Sequence, residues 1–142
     1  LMQKINLRFD AIKIGDTISE HFEITDDLLD RYIDISRDDS AIHTSNEEAQ
    51  NAGFAGRVVH GTLISSFFSA LIGTKLPGHN ALLLEIQCKF HSPAIVGDLI
   101  FLKVSVKDKH ESVECVSLEL NATQANGQKL SSGKALVKVR RL

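Results

Sequence analysis

The chain reads as α+β, with an antiparallel sheet wrapped around one buried helix. The first observation behind this is the stretch "GTLISSFFSALIGTKLPG". Leu63, Ile64, Phe67, Phe68, Leu71 and Ile72 cover most of a helix's circumference, and the remaining faces carry Ser and Ala rather than charge. A helix apolar nearly all round belongs inside a core. The second observation is the run of strand-like segments after that helix: "ALLLEIQCKFHS", "DLIFLKVSVKDK", "VECVSLELNATQ" and "KALVKVRR". Ala135, Val137 and Val139 alternate with Lys134 and Lys138, the period of a half-buried strand. A simple sandwich has no place for such a helix, whereas a long antiparallel meander can curve around it.

Each element has its own signals. The first part, up to "SEHFEI", reads as one or two short strands. Thr25 then caps a helix whose first turn holds Asp26 and Asp27 at the positive end of the dipole, with Leu29, Tyr32 and Ile33 as its apolar stripe. "SNEE" is a capping box, Ser45 with Glu48, opening a short helix that Gly53 closes. The buried helix ends at Gly73, and Pro77-Gly78 turns the chain. Asn126-Gly127 marks a tight hairpin between the last two strands.

With 142 residues and no repeat, low-complexity tract or linker, positions 1–142 are expected to form a single domain. A formal charge of −2 gives no electrostatic case for nucleic acid or an anionic membrane. Leu63 to Ile72 is too short to span a bilayer, and "LMQKINLRFD" has no apolar run of signal-peptide length. Cys88 and Cys115 lack metal spacing and read as small core residues of a reducing compartment. A cytoplasmic or organelle-matrix location is expected.

The segment "SRDDSAIHTSNEEAQNAGFAGRVVHG", residues 36 to 61, keeps no single period and gathers ionisable and flexible residues. Asp38 falls at or just past the first helix's C-terminus, where the negative end of the dipole should make it a stronger base. His43 comes five residues later in a loop of small neighbours, so the two side chains can return to one cavity and hold a water between them. His60-Gly61 precedes the buried helix, whose first N–H groups lack partners within the helix and suit an oxyanion. Each feature also has an ordinary reading. An acid and a histidine in a loop can be a plain surface connection, Gly61 a turn device, and Ser69 a core hydroxyl bonded one turn back. Asp39 could replace Asp38 as base after a shift of register. Arg57 and Lys75 could meet phosphates at a channel mouth. His21, His79, His91 and His110 are scattered singly. No zincin spacing and no Gly-rich phosphate loop occurs, so no metal or phosphate loop is expected.

Taken in order, "SRDDSAIH", "AQNAGFAGRVVHG", Ser69, "LPG" at 76 to 78 and "SPAIVGD" at 92 to 98 resemble the MaoC-like dehydratase family, which includes the (R)-specific enoyl-CoA hydratases. That family reads S-G-D-x-N-P-x-H, an "A…F…IVHG" stretch, a serine nine residues past that histidine, "LPG", and a "P…GD" turn. The resemblance implies the hot-dog fold, a long central helix in a curved antiparallel sheet, and a homodimer whose sheets run into one another. It implies reversible syn addition of water to trans-2-enoyl thioesters of coenzyme A or acyl carrier protein, with no cofactor. By the same resemblance Asp38 and His43 are the catalytic pair and the Gly61 N–H binds the thioester oxygen. Ser69 helps fix the pair, and His60 shapes the turn into the helix. Phe and Leu side chains of the central helix would wall the acyl channel. Arg37, Ser40 and Ala41 replace the family's Gly, Asn and Pro, which removes a two-ended hydrogen-bonding side chain and some rigidity. Ser40 is left to support the loop. Two other functions remain. One is an acyl-CoA thioesterase, which usually places its acid on the central helix, where Gly61 to Ile72 offer none. The other is a non-catalytic module that binds acyl thioesters.

Overall fold

Residues 5–141 are described by a computed structural model; Leu1 to Lys4, the start of the stretch expected to hold one or two strands, and Leu142 lie outside it. The first segments are a single 3-10 turn at Phe9–Ala11 and one strand, β1 (Thr17–Glu23). Then come α1 (Asp26–Ser36), α2 (Ala41–Thr44), α3 (Asn46–Asn51) and α4 (Gly61–Thr74). The strands β2 (Ala81–Phe90), β3 (Leu99–His110), β4 (Cys115–Gln124) and β5 (Lys129–Val139) complete the chain.

The caps form as their residues dictate. Thr25 Oγ1 accepts from the Leu28 N–H at 3.1 Å, and Ser45 Oγ accepts from the Glu48 N–H at 3.2 Å. Ala52 is the C-cap of α3, which leaves Gly53 just past it at φ +92°.

The sheet order is β1-β3-β4-β5-β2, antiparallel throughout. This corrects the expected meander. Only β3, β4 and β5 succeed one another across the sheet; β2 joins the far side of β5, and residues 91–98 carry the chain back. One face of the sheet holds Ile100, Leu102, Val104 and Val106 of β3, and Val116, Leu118, Leu120 and Ala122 of β4. They share one core with the six large apolar residues of α4, none more than 7% exposed. The opposite face carries Lys103, Lys107 and Lys134 toward solvent.

Two boundaries differ from expectation for local reasons. β5 begins at Lys129, ahead of "KALVKVRR", because Ser131, Ser132 and Gly133 pair without an alternating apolar pattern. Gly133 is required there: a Cβ would collide with the Gln87 carbonyl oxygen of β2. At the hairpin, the Gly127 N–H bonds Gln124 O at 2.9 Å with Gly127 at φ +85°, so Asn126-Gly127 sits in a longer loop than a two-residue turn. Cys115 is buried and Cys88 half-buried, both free thiols.

Candidate active site

The site begins where α1 stops. Arg37 ends the helix in the left-handed region at φ 62°, its N–H bonding Ile33 O at 2.8 Å. That turn carries the next residue off the helix axis. Asp38 Oδ1 then accepts from the Ser40 hydroxyl at 2.7 Å and from the Ser40 N–H at 3.3 Å. The hydroxyl bond, then the N–H bond, holds the Asp38 carboxyl below its usual range; His60 and His43 push the same way and slight desolvation opposes them. This reverses the expectation from the dipole. Local donors that bond the charged form outweigh a helix end from which the side chain has turned away.

Residues 57 to 60 grip this loop from the side. The Val58 N–H bonds Ile42 O at 2.9 Å, and Val58 O lies 2.6 Å from His43 Nδ1. A carbonyl only accepts, so His43 Nδ1 carries a proton, and in the neutral tautomer that this bond selects Nε2 is the nitrogen with the lone pair. The same logic makes His60 Nε2 the donor to Asp38 O at 2.9 Å. His60 is buried, stacks on His43 with ring centroids 3.6 Å apart, and meets Tyr32 in a T-shaped contact at 5.0 Å. Tyr32 in turn donates its hydroxyl proton to Thr62 Oγ1 at 2.8 Å.

His60 is also the residue before α4. No side chain caps that helix; the N–H groups of Leu63 and Ile64 fold back onto His60 O, and those of Gly61 and Thr62 do not. Gly61 is packed against the Phe90 ring, which a Cβ would approach to 2.7 Å. Asp38, His43, His60 and Gly61 all line one cleft of about 470 Å³, closed further by Val58, Val59, Ile64, Phe90 and Ala94.

A carboxylate oxygen of Asp38 and one ring nitrogen from each histidine lie within 4.8 Å of one another. Two hydrogen bonds meeting at one water span roughly 4.6 Å, so a single water can touch both Asp38 and an imidazole. A metal ion fits less well. The two imidazoles are stacked with an interplanar angle of 21°, so their in-plane lone pairs run side by side rather than toward one point.

Other expected residues lie elsewhere. Ser69 is exposed two turns along α4, outside the cleft, and no hydrogen bond among the described residues joins it to Asp38 or His43. Asp39 lies beside Ile33, Asp34 and Arg37, away from the histidines. Arg57 and Lys75 do not await phosphates. Arg57 is buried against Asp26, Asp30 and His43 O, and Lys75 is paired with Glu20 at 3.3 Å. The large side chains of α4 fill the core, with Phe67 stacked on Phe22 at 4.3 Å; of the helix's apolar residues only Ile64 lines the cleft. Phe90 against Gly61, Tyr32 against His60 and the ion pairs of Arg57 escape sequence reasoning, because these contacts join segments distant along the chain.

A helix packed on an antiparallel sheet, with a cleft at the helix's N-terminus, is the arrangement of a hot-dog domain. Residues 6–126 match the model of the MaoC like domain, and the chain belongs to that family. The (R)-specific enoyl-CoA hydratase of Rhodospirillum rubrum is 30% identical over 131 residues, covering 92% of this chain and 90% of that one. A mitochondrial 3-hydroxyacyl acyl-carrier-protein dehydratase of Arabidopsis thaliana is 35% identical over 89 residues, 63% of this chain and 52% of that one. Among solved structures, the (R)-hydratase from Aeromonas caviae superposes with a TM-score of 0.88 at 26% identity, covering 91% of this chain and 98% of that one. Hydratase in two of these names and dehydratase in the third place the chain among the hydro-lyases. Among the described residues no helix is long and apolar enough to cross a membrane.

Proposed function

We propose that the chain is an (R)-specific enoyl thioester hydratase, working reversibly as a 3-hydroxyacyl thioester dehydratase. The observation that carries this reading is the shared cleft. A carboxylate, an imidazole with a free lone pair and the uncapped start of α4 meet around one volume. In the forward direction Asp38 and His43 hold a water. Its oxygen bonds C3 of a trans-2-enoyl thioester as one proton passes to the pair. The π electrons shift toward the thioester carbonyl, whose oxygen the Gly61 N–H stabilises as it becomes an enolate. The pair returns a proton to C2 on the same face, which makes the addition syn.

The magnitudes suit this division. Positioned acid–base groups contribute typically ~10²–10⁴-fold, and one oxyanion donor about 3 kcal/mol. Neither asks for a metal or an organic cofactor. The substrate carrier is coenzyme A or acyl carrier protein, which present the same pantetheine thioester.

The working form is proposed to be a homodimer joined along β2. That strand is a sheet edge, and Leu84 beside its bulge is 52% exposed. A bare apolar edge of this kind is a template for a second copy.

Crotonyl-CoA tests the activity. Loss of the conjugated enoyl absorbance with the thioester intact is the expected result. Release of free thiol would instead make the protein a thioesterase. Binding without either change would make it a non-catalytic module.

A further inference from the structure

Arg57 packs behind the cleft, the proposed reaction leaves it without a task, and its placement is unusual. The residue is 8% exposed. Its Nε donates to His43 O at 2.7 Å, one terminal nitrogen donates to Asp26 at 3.0 Å, and the other donates to Asp30. Its backbone N–H bonds Asn46 Oδ1 at 3.0 Å, so the main chain is tethered as well. Asp26 and Asp30 lie one turn apart on α1, the helix whose end delivers Asp38. His43 O belongs to the other member of the pair.

We propose that Arg57 is a positioning residue, a buried cross-brace that fixes His43 relative to the helix that carries Asp38. This rests on the hydratase reading of the site. The planar fork is what makes the brace possible. Three of its nitrogens point at three acceptors on two separate segments, which the single ammonium of lysine cannot reproduce. Both carboxylates face solvent at their outer edges, so they supply counter-charge without themselves being buried. The arrangement also answers the loop's missing Asn and Pro. Rigidity that those residues would give from within the loop comes here from outside it, through the Arg57 side chain, the Val58 backbone and His60. A catalytic group displaced by about 1 Å costs on the order of 10² in rate. The brace should therefore act on the chemical step and leave substrate binding nearly untouched.

Arg57→Lys keeps the charge and loses the fork. The expected result is a folded protein whose kcat on crotonyl-CoA falls roughly 10- to 100-fold with KM within about 3-fold of the parent. Asp30→Asn should lower kcat in the same way by a smaller factor, while Asp27→Asn, on the same helix but paired with Arg31, should leave it unchanged. Parent-like kcat in folded Arg57→Lys, or a loss confined to KM, would overturn the proposal. If Arg57→Lys does not fold, equal kcat in the Asp30 and Asp27 variants would do so. Backbone amide relaxation at His43 and Thr44 gives a readout independent of turnover. That segment should be rigid in the parent and more mobile in Asp30→Asn, because Arg57 holds the His43 carbonyl. An inactive parent with that pattern would sink the hydratase reading and leave the brace standing; equal rigidity in both would sink the brace alone.

Discussion

Asp38 and Ser40 form the smallest unit with a functional consequence. The carboxylate accepts twice from one residue, and those bonds favour its charged form, so it stays ionised to lower pH than an ordinary aspartate. If the ionised carboxylate is the working state, the acid limb of kcat/KM reports it. Ser40→Ala removes the stronger donor and leaves the N–H, so the folded-state pKa of Asp38 rises toward the ordinary aspartate value of 3.8. The acid limb should then move to higher pH. A profile recorded from about pH 2 to about pH 5, covering the range below the ordinary aspartate value, checks this. A limb that stays put or moves lower would contradict the role given to Ser40. Where the family has asparagine, the serine hydroxyl bonds the carboxylate directly. Spacing together with the family resemblance nominates Asp38 and His43, and both line the cleft. Neither reveals which ring nitrogen of His43 carries the proton, because that depends on Val58 O, fifteen residues away.

At the scale of elements, the junction of α1 with the loop that holds Asp38 and His43 contains one departure from the family pattern. Arg37 stands at φ 62°, where the family has glycine. A left-handed non-glycine residue costs roughly 1–2 kcal/mol. Glycine recovers most of that but loses about 0.5–1 kcal/mol through the greater freedom of the unfolded chain. Arg37→Gly should therefore stabilise the protein by about 0.5–1 kcal/mol in urea denaturation; destabilisation would show that the Arg37 side chain makes a contact worth more than the strain. Helices α1 and α3 were legible in the sequence, since Thr25, Ser45 and Gly53 are local signals that act within three or four residues, and α4 was legible by its apolar pattern. Helix α2 was not, and His43, expected in a loop, sits in that single turn of helix. The early start of β5 was not, because Gly133 and Ser131 are chosen by the backbone of β2 and not by any pattern along β5. The grip of residues 57 to 60 on residues 38 to 43 is hidden for the same reason. Arg57 looks like a free surface cation until folding brings Asp26 and Asp30 beside it.

At the scale of the whole molecule, the sheet is closed by α4 on one face and open at both edges. The apolar pattern of α4 foretold its burial, and with it the helix-in-sheet architecture. Pattern alone could not foretell that β2 would sit at an edge, since strand order is set by which partners remain after β3, β4 and β5 pair. The proposed dimer uses that edge. The protein should sediment as a dimer, and Leu84→Lys, which puts a charge on the exposed strand, should shift it toward monomer. A parent that is monomeric at micromolar concentration would refute the interface. Ser69 belongs to the same question. It is exposed in the single chain, so any part it plays in fixing the catalytic pair requires contacts that one protomer does not make.

The proposed mechanism requires Asp38 and His43 to act as one proton-handling pair on an enoyl thioester, and turnover by single variants reads this out without intermediaries. Crotonyl-CoA hydration should fall at least about 100-fold in both Asp38→Asn and His43→Ala, with the fold and the affinity for the thioester preserved. Hydration within a few-fold of the parent in either variant would contradict the pairing.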